Sequence, residues 1–141
     1  MMTLQEFHSR VGELIMHCQH IEEEVKMIYA ALRKGNFDQN FETVRRKPLG
    51  DVLVELQVLD RSDNDPYILK EDYDYLFRMK NVRNHWCHQA YANFLYVQDF
   101  LRSPEYQREC RFLENDRERL GRLAHNLEKS RLLAVKMYKC Q

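Results

Sequence analysis

The chain is poor in the two residues that break helices: its 141 residues include only four glycines and three prolines. An all-β fold needs many tight turns, which glycine and proline supply, so this scarcity argues against one. No apolar run approaches the ~20 residues that a membrane span requires, and no apolar signal segment follows the start. We therefore expect one all-α domain over residues 1–141, without a membrane anchor and in the cytoplasm.

A charge excess of either sign is also missing, because 22 Lys and Arg balance 22 Asp and Glu. A strongly basic surface is the usual sign of a nucleic-acid-binding protein. Its absence excludes broad electrostatic capture of polyanions. Any phosphate-bearing ligand must be held by a local group of side chains.

The cysteines lack the spacing of a metal or redox motif, since no two of them form a CxxC pair. The first three lie among apolar residues of helical segments, where a thiol behaves as a small hydrophobe, and a cytoplasmic chain keeps its thiols reduced. His17 and His20 have a spacing that can hold one edge of a metal site. A polar helix face is the favoured interpretation, because no third ligand is near them, and we expect no metal or other cofactor. The four cysteines are Cys18, Cys87, Cys110 and Cys140.

Helical periodicity is what the sequence has in abundance. Apolar residues three and four apart predict a first helix from Leu4 to Leu32, with Thr3 as N-cap and Gly35 in its stop signal. A polar segment, 35–47, follows it. A shorter helix is predicted from position 48 or 49 to position 60, and a turn-rich loop covers 61–66.

Two longer helices are predicted in the second half of the chain. One stripe of mainly apolar residues runs from position 69 to Leu101 and indicates a helix over 67–101, with room for a bend. Ser103 and Pro104 are an N-cap and a first-turn proline, so a last helix should begin there. These patterns predict an antiparallel up-and-down bundle of four main helices.

Arg83 interrupts the apolar stripe of the third predicted helix. A guanidinium in that position needs a carboxylate, a phosphate or water, because burying it unpaired costs several kcal/mol. One possible partner is an acid from another helix; the alternative is a ligand phosphate. Asn84 and His88 are four residues apart on one helix face, where the amide can orient the imidazole. On an ideal α-helix His88 lies ~7.5 Å along the axis from Arg83 and ~140° around it.

The segment Arg83-Asn84-His85-Trp86-Cys87-His88 resembles the R-x4-6-H motif of HEPN domains, in which a polar residue, often Asn, commonly follows the Arg. The helical layout and the Leu49-Gly50 step that opens the second predicted helix are also similar to that family. The resemblance implies a small α-helical bundle. Only the six-residue motif is specific for function.

The resemblance also implies an activity, because many HEPN proteins are metal-independent endoribonucleases of toxin–antitoxin or other defence systems. Carried onto this chain, His88 acts as general acid or base at the ribose 2′-hydroxyl, Arg83 stabilises the scissile phosphate, and Asn84 orients either group. Attack by the 2′-hydroxyl leaves a 2′,3′-cyclic phosphate. The family usually works as a homodimer whose two motifs form one site, and its toxins pair with an antitoxin such as a nucleotidyltransferase-like protein.

Side chains near the motif are candidates for binding RNA. Arg78 and Lys80 can hold flanking phosphates, and Tyr91 can stack on a base. His85 fits an exposed helix position, with an RNA contact as the alternative. Trp86 is interpreted as a core or dimer-interface aromatic rather than as a stacking platform.

Two further classes of function fit the same residues. A non-catalytic HEPN-like module can use the same residues to bind nucleotide, RNA or a protein partner. A helical regulator without a ligand would make the motif accidental.

Overall fold

The computed structural model describes residues 1–62 and 65–139, and all regular secondary structure in those ranges is helical. The all-α class is therefore confirmed. The described part contains five α-helices rather than the four main helices predicted, with three shorter helical turns between the last two. The α-helices are α1 (Leu4–Leu32), α2 (Phe37–Val44), α3 (Leu49–Arg61), α4 (Lys70–Asn84) and α5 (Pro104–Lys139).

Three predicted helix boundaries are confirmed by their hydrogen bonds or backbone angles. The Thr3 hydroxyl accepts a bond from the backbone N–H of Glu6 at 3.1 Å, as an N-cap does. The Ser103 hydroxyl accepts from the N–H of Tyr106, also at 3.1 Å, at the start of α5. Gly35 follows α1 with a φ of 109°, a conformation that favours glycine.

The segment 35–47, predicted only as polar, contains the helix α2. Asn36 caps it, because its side-chain oxygen accepts from the N–H of Gln39 at 3.1 Å. The buried side chain of Asn40 donates to the backbone oxygens of Ala30 and Arg33, at 3.2 and 3.0 Å. Eight residues are too few for a convincing apolar period, so this helix depends on its cap and on Asn40.

The long third helix predicted over 67–101 is wrong at both ends. It begins at Lys70 and ends at Asn84, and the chain beyond it forms a π turn (His85–Gln89), two 3₁₀ turns (Tyr91–Asn93 and Phe100–Arg102) and irregular turns. Leu101, the last residue of the apolar stripe, is 39% exposed. The apolar period continues past the end of α4 because the turns that follow also bury residues of the stripe, namely Ala90 and Phe94.

The chain divides into two compact units. The first contains Met1–Gln19 and Arg78–Arg122; the second contains His20–Phe77 and the chain from Leu123 onward. The single domain expected over residues 1–141 stays a prediction.

The core of the first unit is built around the ring of Phe7. Its centroid lies 5.4 Å from that of Phe94 and 5.5 Å from that of Tyr106, both also buried. Trp86 lies 6.1 Å from Phe7 and is 1% exposed, so its predicted place in a core is confirmed. Aromatic side chains bring the largest buried areas to a small core, which fixes the irregular segment that follows α4.

The second unit has a mainly aliphatic core, and Asp60 at the end of α3 is one of its buried acids. The carboxylate of Asp60 accepts from the backbone N–H groups of Tyr67 and Ile68 at 2.8 and 3.1 Å, and from the Tyr73 hydroxyl at 2.7 Å. These bonds tie the start of α4 to the end of α3. Asp63 and Asn64 of the predicted loop lie outside the described residues.

The cysteines differ from one another in exposure. Cys18 is buried, as predicted, and Cys110 is half-buried, but Cys87 is exposed. The prediction for Cys87 is wrong because its neighbour Trp86 occupies the core position. No disulfide joins the three described cysteines, and Cys140 lies outside the described residues. Within residues 1–62 and 65–139, no helix has both the length and the apolar character needed to cross a bilayer.

Candidate functional site

The predicted motif lies where α4 opens into the π turn. Arg83 and Asn84 are the last residues of α4, and His88 is the fourth residue of the turn His85–Gln89. The N–H of Ala90 donates to the carbonyl of His85 at 2.8 Å, a bond that spans five residues instead of four. A π turn is wider than an α turn, so each residue rotates the chain by less than ~100°. The angle around the axis between Arg83 and His88 that follows from this geometry is therefore smaller than the ~140° of an ideal α-helix.

The three predicted catalytic residues differ in exposure. His88 and Asn84 are exposed, and Arg83 is half-buried. Arg83 belongs to the last turn of its helix and not to the middle of a long one, as the apolar stripe predicts. The imidazole of His88 and the amide of Asn84 are thus accessible to a phosphate from solvent, and the guanidinium of Arg83 is partly so.

His85, predicted as an exposed helix residue or an RNA contact, is anchored to the interior. Its Nε2 lies 2.8 Å from Oε2 of Glu109, and its side chain is 30% exposed. Glu109 belongs to α5 and is 3% exposed. A buried carboxylate at this distance fixes the orientation of the imidazole.

The same carboxylate reaches the far end of the π turn through one side chain. Oε1 of Glu109 accepts from the Asn93 amide at 2.8 Å, and the Asn93 oxygen accepts from the Gln89 amide at 3.0 Å. His85 is the first residue of the turn and Gln89 the last. Both ends of the turn are thus tied to Glu109.

A second carboxylate, Asp116 of α5, contacts the π turn through Trp86. The Trp86 indole N–H donates to its Oδ2 at 2.8 Å. Burial raises the pKa of Asp116 above its ordinary range, although the Trp86 hydrogen bond and, to a smaller extent, the nearby His85 oppose that rise. Two acids therefore face the π turn on its interior side.

Tyr91, predicted as a stacking residue for RNA, already has a partner. Its hydroxyl is 2.7 Å from Nδ1 of His8, and the two rings stack with centroids 5.4 Å apart. Burial raises the pKa of this tyrosine, so it stays a neutral hydroxyl. Arg78 and Lys80, the other predicted RNA contacts, are exposed on α4.

Four residues of this region were missed in the sequence: His8, Asn93, Glu109 and Asp116. For Glu109 a signal existed. It lies three residues after Tyr106 and four before Leu113, both buried, so it is an acid in the core-facing stripe of α5. An acid in such a place needs hydrogen-bond donors from another element. No comparable signal marks the other three.

The two histidines weighed as a metal edge each pair with an acid on their own helix. His17 lies 3.8 Å from Glu13, and His20 lies 3.1 Å from Glu24. In the described ranges, no cluster of three or more His, Cys, Asp or Glu side chains is arranged to hold a metal ion.

Comparisons with known proteins add no relative. No family model matches the chain, and no curated protein or solved structure is significantly similar to it.

Proposed function

We propose that this chain is a metal-independent endoribonuclease of the HEPN type that cleaves single-stranded RNA. The observation that carries the proposal is the place of the motif at the junction of α4 and a π turn, with Asn84 and His88 exposed and Arg83 half-buried. π turns inside helical segments are frequent at functional sites. Arginine and histidine are suited to hold a phosphate and to move a proton near neutral pH.

In the proposed reaction His88 removes the proton of a ribose 2′-hydroxyl. The 2′-oxygen then attacks the adjacent phosphorus, and the bond from phosphorus to the 5′-oxygen breaks. The products are a 2′,3′-cyclic phosphate and a 5′-hydroxyl, whose proton comes from a second imidazole. Arg83 stabilises the charge that develops on the non-bridging oxygens, and Asn84 orients the imidazole or the phosphate.

The flanking residues give the RNA its remaining contacts. Arg78 and Lys80 are exposed on the same helix as Arg83, where they can neutralise neighbouring phosphates. The half-buried ring of Tyr91 offers a base only the surface not covered by His8. His85 can offer RNA only its other ring edge, because Glu109 holds its Nε2.

A second imidazole is available if two copies meet at the motif. We propose a homodimer in which the two-fold axis juxtaposes the Arg83 and His88 pairs, one histidine serving as base and the other as acid. A toxin role with an antitoxin, such as a nucleotidyltransferase-like protein, is the biological context that the motif favours.

The test is cleavage of single-stranded RNA in the presence of EDTA. Wild-type protein should release fragments ending in a 2′,3′-cyclic phosphate, and His88→Ala should lose about 10²- to 10⁴-fold in rate because a general acid–base group is gone. The matched control is His125→Ala, which removes an exposed histidine of α5 and should leave the rate unchanged. RNA with a 2′-deoxyribose at the cleaved position should resist.

Equal inertness of the wild-type protein and His88→Ala would contradict the ribonuclease. RNA or nucleotide binding by both proteins would then favour the non-catalytic module. Sedimentation of the same samples tests the dimer, and a strict monomer at micromolar concentration would remove the composite site.

A further inference from the structure

Glu109 is a buried acid that the proposed reaction does not use. It is 3% exposed, and a carboxylate so placed is retained only where donors replace water. Its two oxygens have separate partners, His85 on Oε2 and Asn93 on Oε1, each at 2.8 Å. Such full use of both oxygens gives the carboxylate a defined orientation.

The partners of Glu109 connect this carboxylate to both ends of the π turn. His85 begins the π turn, and Asn93 holds Gln89, which ends it. The backbone bond from Ala90 to His85 closes the turn across the same five residues. A π turn is rare because an α turn competes with it, and it persists where surrounding contacts hold it. These side chains act as a clamp of three hydrogen bonds across the turn.

The clamp matters for His88 because that residue lies inside the turn. If the turn reverted to α-helical geometry, each step between His85 and Gln89 would rotate by ~100° again and His88 would turn away from Arg83. A shift of about 1 Å in a reacting group can cost 10²-fold in rate.

We propose that Glu109 is a positioning residue that holds the π turn and thereby directs His88 toward the phosphate held by Arg83. The part of this inference that concerns cleavage rests on the proposed ribonuclease function. Glu109 acts through His85 and Asn93 and does not contact RNA.

The test uses three variants of the full chain and two readouts. Glu109→Ala removes both bonds, whereas Glu109→Gln keeps an oxygen for Asn93 and an N–H₂ for a neutral His85. Asn93→Ala, at an exposed position, removes the bond to Oε1 of Glu109 and the bond from Gln89 but leaves His85 on Oε2. It keeps the test usable if Glu109→Ala fails to fold. The matched control is Glu118→Gln, an exposed acid of the same helix.

The first readout is hydrogen exchange of the Ala90 amide, which reports on the π turn whether or not the protein cleaves RNA. Glu109→Ala should speed that exchange about ten-fold relative to the amide of Ile28, and Asn93→Ala should do so partly. Glu109→Gln should restore most of the protection. Unchanged exchange at Ala90, or faster exchange at both amides alike, would overturn the clamp.

The second readout is steady-state cleavage. Glu109→Ala should lower kcat by roughly 100-fold with little change in KM, because the RNA contacts on α4 remain while the imidazole is misdirected. Glu109→Gln should recover most of the rate. Locally faster exchange without a loss of kcat would overturn the positioning role. If the wild-type protein cleaves no RNA, the proposed function fails, and the exchange at Ala90 still decides whether Glu109 holds the turn.

Discussion

Three acids of this chain illustrate what a carboxylate away from water requires. Asp60 and Glu109 are almost fully buried and Asp116 is half-buried, and each accepts bonds from donors on a different segment. A buried acid without such donors would be strongly destabilising. In both units the hydrogen bonds of these acids therefore fix the conformation of irregular segments, which apolar packing alone would not determine.

Asp116 gives a prediction for stability against pH. Burial raises its folded-state pKa above 3.8, the ordinary value that it keeps in the unfolded chain. At a pH between the two values the folded protein binds more protons than the unfolded chain, so this group's contribution to stability falls as pH rises through the folded pKa. Asp116→Asn keeps an oxygen for Trp86 and has no charge to desolvate. The free energy of unfolding of this variant, relative to wild type, should increase from about pH 4 to pH 7.

Urea unfolding at a series of pH values measures this difference. Asp51→Asn, at an exposed position of α3, is the control. Its free energy of unfolding relative to wild type should change only slightly with pH, because that acid is not buried. A difference for Asp116→Asn that stays flat with pH would contradict the assigned effect of burial.

At the scale of the element, the starts of three helices are fixed by hydrogen bonds between residues close in the sequence. The conformation of the chain that follows α4 is not. Thr3, Asn36 and Ser103 each accept a backbone bond from a residue three positions further on. The sequence identifies the caps at Thr3 and Ser103 because donor and acceptor are close along the chain, whereas Asn36 stands before a helix too short to be predicted. The end of α4 has no comparable signal, and its apolar period continues into the turns.

Two glycines give opposite predictions for substitution by alanine. Gly35 has a φ of 109° after α1, so Gly35→Ala should lower the free energy of unfolding by about 1 kcal/mol or more. Gly12 lies at an exposed position inside α1 with nothing within 4 Å of an added Cβ. Gly12→Ala should raise the free energy of unfolding by roughly 0.5–1 kcal/mol, because alanine favours the helix.

Thermal unfolding of the two variants beside wild type is the measurement. The sign is the decisive outcome: a stabilising Gly35→Ala would contradict the need for glycine at the end of α1.

At the scale of the whole molecule, zero net charge sets the strength of any RNA binding. With 22 cations and 22 anions the chain has no excess positive charge to attract a polyanion at long range. Contacts of the proposed site are restricted to a few cations of α4, namely Arg78, Lys80 and Arg83. We therefore expect weak binding that depends on these residues.

The salt dependence of binding measures how many phosphates the site neutralises. About three contacts to single-stranded RNA predict a slope of log K against log salt of about −2. Lys80→Gln should reduce its magnitude by about 0.7, and Lys129→Gln, an exposed lysine of the second unit, should leave it unchanged. Binding is measured in the His88→Ala background, so that RNA stays intact. A slope insensitive to Lys80 would place the RNA elsewhere.

The sequence by itself determined the all-α class, the extents of α1 and α3 to within a residue or two, and the start of α5. These features depend on periodicity and capping, which act over three or four residues. Trp86 was also predicted as a core or dimer-interface aromatic, because a large aromatic side chain is usually buried.

Only the tertiary structure decided the π turn, the exposure of Cys87 and the attachment of His85 to Glu109. His85 and Glu109 are 24 residues apart in the chain, and Trp86 and Asp116 are 30 apart. A contact between residues so far apart produces no periodic pattern in the sequence, because its two residues belong to different helical segments. The attachment of the π turn therefore depends on a carboxylate of another helix and not on the spacing of the motif.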